Sequence, residues 1–268
     1  MEHLKLTIDE KGIAVVTLCY PPQNRMDLKM QNELGEVINT LRETPNVRCA
    51  ILTAEGDVFS YGGYFPEWLG LTGHQFRKMV EVWKDEQEQW ERLPFPTIAA
   101  INGDCWGGAF EMALSCDLIY AVPGATFNHP EKSIAIPTLL GGVYRFAERA
   151  GRNVAAEMAF TSTPFTSERM YELHVVNRVV EREKLMDTVM EIARSIAKAP
   201  ASVHEAHKSL LRLWSQGGEF TADQALMDYC TTVYNAADCA RAFESARKAM
   251  EGGYKRPDLD FTETSCFR

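Results

Sequence analysis

The sequence predicts an α/β fold: a parallel sheet with helical cover. Three observations carry this. Short apolar, β-branched runs alternate with helix-period segments through the first half of the chain. Gly, Pro, Asn and Asp clusters punctuate the boundaries between them. The 268 residues are 46% hydrophobic and 24% charged, the balance of a folded soluble chain long enough to bury a core without staples.

The elements follow in order. Residues 4–8 alternate, Asp9-Glu10-Lys11-Gly12 supplies turn chemistry, and residues 13–20 are rich in β-branched side chains, so the chain opens with a hairpin. Pro21-Pro22 ends it. Asp27 is placed to cap a helix running to about Arg42, with Met30, Leu34, Val37, Ile38 and Leu41 on one face. Residues 49–53 form a short buried strand, closed by Glu55-Gly56-Asp57, and residues 58–73 form a loop rich in glycine and aromatics. A charged helix spans 74–93. Pro94-Phe95-Pro96 introduces a buried strand at 97–101, Asn102-Gly103-Asp104 turns the chain, Gly107-Gly108 opens a helix to about Ser115, and another buried strand covers 118–121. From about Leu139 onward the chain is mostly helical. Its clearest helices are 185–197 and 201–214, and 175–180 is the last strand candidate. We divide the chain into a core, 1–200, and a helical C-terminal region, 201–268.

Charge and cysteine content exclude several classes. Lys and Arg total 28 against 37 Asp and Glu, a net charge of -9, which repels a polyphosphate backbone and argues against a nucleic-acid partner. The seven cysteines are odd in number and form no CxxC pair, and several sit in apolar runs, which fits reduced thiols in a cytoplasmic setting. The start, Met1-Glu2-His3-Leu4-Lys5, lacks the pattern of a secretory signal, and no apolar stretch of about 18 residues exists to cross a membrane. GxSxG, Walker and GxGxxG patterns are absent. His204 and His207 share a helix face, but no second cluster completes a metal site, so we expect no metal and read them as solvated helix histidines.

Three segments carry candidate chemistry: Val58-Phe59-Ser60-Tyr61-Gly62-Gly63-Tyr64, the stretch 99–111 that contains Trp106-Gly107-Gly108-Ala109-Phe110-Glu111, and 123–131 that ends Asn128-His129-Pro130-Glu131. Glycine pairs let another molecule approach the backbone, and a helix start leaves amides without intrahelical partners at the positive end of the dipole. Two such amides converging from two loops make an oxyanion hole; as plain turn residues they do nothing further. Glu111 lies one turn into the helix that Gly108 opens. Glu111 and Glu131 entering an apolar pocket with Trp106, Phe110 and Phe127 would have shifted pKa values, one serving as base and one as acid. As isolated residues they read as a helix-start glutamate and a solvated turn.

Together the segments resemble the crotonase superfamily, the enoyl-CoA hydratase and isomerase family. The resemblance rests on Phe59-Ser60-Tyr61-Gly62-Gly63, on Ala100-Ile101-Asn102-Gly103, Gly107-Gly108, Glu111 and Cys116-Asp117-Leu118-Ile119-Tyr120, and on the step from Glu111 to Glu131. It covers about residues 4–180 in element order, with a helical tail of matching kind. It implies a ββα spiral whose C-terminal helices assemble homotrimers or homohexamers. It also implies an acyl-CoA substrate with no cofactor beyond that coenzyme A, and oxyanion donors at the Gly63 and Gly108 amides. Matching both family glutamates, Glu111 and Glu131, implies hydration of a 2-enoyl-CoA to a 3-hydroxyacyl-CoA. Glu131 then moves the Cα proton and Glu111 activates water. Isomerase, hydrolase or decarboxylase chemistry on the same fold, and a silent binding scaffold, are the alternatives.

Several residues depart from the family pattern. Tyr64 stands where Asp is frequent, Tyr61 and Phe110 replace small residues, Thr138-Leu139 replaces Pro-Gly, Lys132-Ser133 interrupts an apolar run, and Asn128-His129 replaces Gly-Gln. They imply either a crowded, aromatic acyl pocket for a cyclic, branched or otherwise specialised acyl group, or drift around an unchanged reaction. We therefore expect Tyr61, Tyr64, Trp106, Phe110, His129 and Leu139 to line the substrate site. Tyr61 and Tyr64 either hydrogen-bond the acyl group or pack. His129 either donates to Glu131 or substrate, or is a satisfied buried histidine. Lys248, Lys255 and Arg256 are candidates for the coenzyme phosphates, with ordinary surface charge as the alternative.

Overall fold

The computed structural model describes residues 1–253 and 259–262. Strands β1 (Leu4–Ile8) and β2 (Ile13–Leu18) pair antiparallel, and Asp9 Oδ1 accepts from the Lys11 and Ile13 amides to close their turn. Helix α1 (Leu28–Glu43) starts where Asp27 Oδ1 accepts from the Met30 amide at 2.8 Å, a cap that stabilises by about 1 kcal/mol. Strand β3 (Cys49–Ala54) follows. The loop after it is not wholly irregular, because Phe65–Trp68 forms a 3-10 turn. Helix α2 (Gly73–Glu91) begins with a reciprocal Thr72–Gln75 capping box.

Strands β4 (Thr97–Ile101) and β5 (Cys105–Trp106), helix α3 (Gly108–Leu114) and strands β6 (Leu118–Ala121) and β7 (Thr126–Asn128) come next. A 3-10 turn at Glu131–Ile134 leads to α4 (Gly142–Ala150), α5 (Arg152–Thr161), β8 (Phe165–Thr166), α6 (Ser167–Glu172), β9 (Arg178–Val179) and α7 (Leu185–Ala197). The last helices are α8 (Ala201–Tyr234) and α9 (Ala237–Glu251).

One sheet has the order β1-β2-β3-β4-β6-β9, parallel except for the opening hairpin, and a smaller sheet has the order β5-β7-β8. Side chains alternate across the large sheet. Ala50, Leu52, Ala99 and Ile101 face the main core with α1 and α3, while Cys49, Ile51, Ile98 and Ala100 face α7 through Leu185, Val189 and Ala193. Both faces are therefore covered, which is why β3, β4 and β6 read as continuous apolar runs.

Three expectations change. The 201–214 helix extends to Tyr234, broken at Gly218, whose φ of 71° and ψ of -172° interrupt the helical path. The strand expected over 175–180 shrinks to β9, because the Val175 and Val176 amides turn back to Met170 O and close α6. His204 is not solvated: it is half-buried, with Nε2 3.0 Å from Ile196 O, and burial pushes its pKa down. Helices α8 and α9 bury little beyond Ala201 and Ala206 and expose Leu211, Trp214, Phe220, Met227, Tyr234 and Phe243.

Candidate active site

The 58–64 loop is stitched between two neighbours. On one side the Ser60 amide donates to Asp104 O (3.0 Å) and the Trp106 amide to Ser60 O (2.9 Å). On the other, the Met26 amide donates to Gly62 O (2.9 Å) and the Tyr64 amide to Met26 O (3.0 Å). That second pattern is a parallel bridge centred on Gly63. In such a bridge the flanking residues make the bonds, so the Gly63 amide points away from Met26. The Gly62 amide is occupied by Ser60 Oγ at 3.0 Å.

The 106–108 segment approaches this loop at backbone contact. A side chain at Gly62 (φ 75°) would lie 2.7 Å from Trp106 O and 3.0 Å from Gly108 N. Gly107 adopts φ 57°, ψ -133°, a conformation open to glycine, and its amide donates to Asn128 O at 2.9 Å. Gly108 then begins α3. Neither the Gly63 nor the Gly108 amide donates to any described residue, and both glycines line one pocket of about 210 Å³.

Two acids reach the same pocket. Glu111 is 2% exposed, and its Oε1 accepts from the Leu140 and Gly142 amides, each at 2.8 Å. Burial pushes its pKa up. The charge of His129 and the two amides oppose that rise, and Glu131 adds to it. With Oε1 tied, Oε2 is the oxygen left for a ligand. Glu131 begins the 3-10 turn and is 8% exposed, with Oε1 3.4 Å from where a Gly107 side chain would begin. Its Oε2 has no hydrogen-bond partner and lies 3.8 Å from His129 Nδ1.

Of the residues expected to line the substrate site, Tyr61, Trp106 and Leu139 lie on the wall of this pocket. The polar ends of the first two are already committed. Tyr61 Oη donates to Asp104 Oδ2 (2.9 Å), Trp106 Nε1 donates to Thr126 Oγ1 (2.8 Å), and Asp104 Oδ1 accepts from Thr126 Oγ1 (2.6 Å). These two side chains offer ring surface, and of the two readings of Tyr61 the packing one fits, since its hydroxyl is bonded to Asp104.

Tyr64, Phe110 and His129 do not line the pocket. Tyr64 is 41% exposed, because its amide pairs with Met26 and the chain leaves the site there. Phe110 is fully buried against Phe127, His129 and Phe146, at ring separations of 4.8 to 5.5 Å. His129 lies behind the two acids, 1% exposed, with neither ring nitrogen hydrogen-bonded. Gly142 makes room for it: a side chain there would lie 2.3 Å from His129 Cε1 and 2.8 Å from Glu111 Cγ. Of the phosphate candidates, Lys248 pairs with Glu244 at 3.5 Å, and Lys255 and Arg256 lie outside the described residues.

Sequence reasoning missed Arg25, Gln31, Trp68, Trp83 and Leu140 on the pocket wall. Gln31 carried a signal: it falls on the same helical face as Leu34 and Ile38, a polar residue in an apolar stripe. No cluster of three or more metal-ligating side chains occurs among the described residues, and none of the described helices is long and apolar enough to cross a membrane.

The layered sheets and C-terminal helices are the crotonase fold. The crystal structure of an enoyl-CoA hydratase from Bacillus anthracis superposes with a TM-score of 0.86 at 26% identity, over 96% of this chain and 99% of that one. Mevalonyl-coenzyme A hydratase of Aspergillus fumigatus is 31% identical over 242 residues, covering 88% of this chain and 90% of that protein. Short-chain-enoyl-CoA hydratase of Clostridium acetobutylicum is 30% identical over 262 residues, covering 94% and 98%. The family model for enoyl-CoA hydratase/isomerase matches residues 9–249. The chain belongs to the enoyl-CoA hydratase/isomerase family and is an enoyl-CoA hydratase-like enzyme.

Proposed function

We propose that the protein adds water syn across the C2–C3 double bond of a 2-enoyl-CoA thioester, giving a 3-hydroxyacyl-CoA, and catalyses the reverse dehydration through the same steps. The observation that carries this reading is the meeting of two buried carboxyl groups and two unspent amides on one pocket. The Gly63 and Gly108 amides bind the thioester oxygen. They stabilise the enolate more than the ground state, and losing one such donor costs roughly 3–4 kcal/mol of barrier lowering. Glu111 Oε2 takes a proton from water while the water oxygen bonds to C3. The C2–C3 π electrons move toward the thioester oxygen, and Glu131 delivers a proton to C2. The raised pKa of Glu111 makes it a better proton acceptor once ionised.

In this reading the coenzyme A portion of the substrate is the only coenzyme, the assembly is a homotrimer or homohexamer, and the setting is cytoplasmic. The test is the absorbance of a conjugated enoyl thioester, which the enzyme removes. Glu111→Gln and Glu131→Gln should each lower kcat by about 10²–10⁴-fold with the fold retained by circular dichroism. Unchanged rates in both variants would remove the reading.

A further inference from the structure

The part of the pocket wall made by Met26, Trp68 and Trp83 beside Gly63 is apolar or aromatic, and Gln31 sets a carboxamide among them. It projects from α1, is 5% exposed, and lines the pocket with Met26, Trp68 and Trp83. Its backbone amide continues the helix by donating to Asp27 O at 3.0 Å, but its carboxamide hydrogen-bonds to no described residue. The rings of Trp68 and Trp83 lie 5.8 Å apart, and neither indole N–H donates to a described acceptor. This cluster touches the reaction locus directly. A side chain at Gly63 would lie 2.7 Å from Trp68 Cζ2, so the indole closes against the glycine whose amide is free.

A carboxamide held on a ring-lined wall, with its polar atoms open to the pocket and bonded to no described residue, is placed to meet a polar group of a ligand. Nothing on α1 requires it. Neighbours on the same buried face are Met30, Leu34, Val37 and Ile38, and leucine or methionine at position 31 would continue the stripe. A carboxamide both donates and accepts, and so complements a group that does both. We propose that Gln31, with the indole N–H groups of Trp68 and Trp83 beside it, is a subsite for a hydroxyl carried on the acyl chain. The substrate class is then a hydroxylated acyl thioester rather than a plain hydrocarbon one. This rests on the proposed reading that the pocket holds an acyl thioester. It adds discrimination of the strong kind, since a site built to bond an oxygen is left unpaired by the analogue that lacks it.

The experiment compares saturated 6-hydroxyhexanoyl-CoA, whose hydroxyl is too far along the chain to close readily to a lactone, with hexanoyl-CoA by calorimetry, on wild type, Gln31→Leu and Gln31→Met. Wild type should bind the hydroxylated thioester about tenfold more tightly or better, and both variants should lose that ratio. Two near-isosteric replacements guard against a folding defect in one. Equal affinities in wild type overturn the proposal, as does a ratio that survives both substitutions. A Gln31 that serves the shared coenzyme portion would weaken both thioesters alike and keep the ratio, which also overturns it. Hydration of 2-pentenoyl-CoA is followed in parallel. If wild type hydrates it but shows no hydroxyl preference, the subsite fails and the hydratase reading stands. If wild type prefers the hydroxylated thioester but hydrates no enoyl thioester, the subsite stands and the reaction assignment falls.

Discussion

Glu111 owes its chemistry to what surrounds each of its oxygens. Oε1 is fixed by the Leu140 and Gly142 amides, so the carboxyl cannot rotate away from the pocket, and burial makes the ionised form costly. His129 counters part of that cost from behind, 3.8 Å from Glu131 Oε2 and with neither ring nitrogen hydrogen-bonded to a described residue. Its charge holds the Glu111 pKa lower than burial and Glu131 would otherwise set it. In the proposed reaction Glu111 must be ionised to act as base, so its pKa would mark the acidic limb of the rate profile. His129→Gln removes the imidazole that opposes the burial shift, so the Glu111 pKa should rise and the limb of kcat/KM move to higher pH. A profile that stays in place would show that His129 has no electrostatic part in the site. The motif residues at this scale were readable because each is a backbone or carboxyl requirement with fixed spacing. Phe110 and His129 lie off the pocket because sequence neighbours of a pocket-facing acid on a helix or turn point in other directions, here into the core.

At the scale of elements, α2 connects the pocket to the rest of the molecule. Gln87 Nε2 donates to Glu111 O and Ser115 Oγ, tying α2 to α3, and Trp83 from the same helix walls the pocket. On the face toward α1, Glu86 leaves Oε2 buried without a partner and fits its other oxygen into the space Gly35 provides. Burial, then the nearby Asp85 charge, pushes the Glu86 pKa up to about 7. The sign follows from linkage. A carboxyl whose folded pKa is raised binds its proton more tightly in the native state, so stability falls as pH rises from the unfolded value near 4.5 through about 7. Glu86→Gln should therefore raise Tm at pH 8 and change it little at pH 4. A shift of equal size at both would contradict the linkage. Helix and strand positions were legible wherever burial imposes a period. The β5-β7-β8 layer was not, because strands of two or three residues carry no period to read.

For the whole molecule, the main sheet with its two faces covered explains the first half of the sequence, and the tail has a different logic. Helix α9 buries no residue, and α8 and α9 expose Phe220, Phe243 and Tyr234 at 74%, 63% and 67%. Exposed apolar side chains in that number are what the proposed assembly would cover. The proposed trimer or hexamer should appear in sedimentation as three or six times 30.2 kDa, and Phe220→Glu with Phe243→Glu should lower that mass. A wild-type chain sedimenting at 30.2 kDa would contradict the assembly. The length of α8 escaped the sequence reading because Gly217-Gly218 resembles a terminator, whereas the helix resumes after a single non-helical residue.

The proposed reaction makes a demand on oxygen that no other chemistry of the fold shares in the same form. Incubating wild type with 2-pentenoyl-CoA in heavy-oxygen water, and reading products by mass, should show one heavy oxygen at C3 of an intact thioester. Glu111→Gln and Glu131→Gln should strongly suppress it. A shifted double bond without label, or label in a freed carboxylic acid, would contradict the proposed hydration.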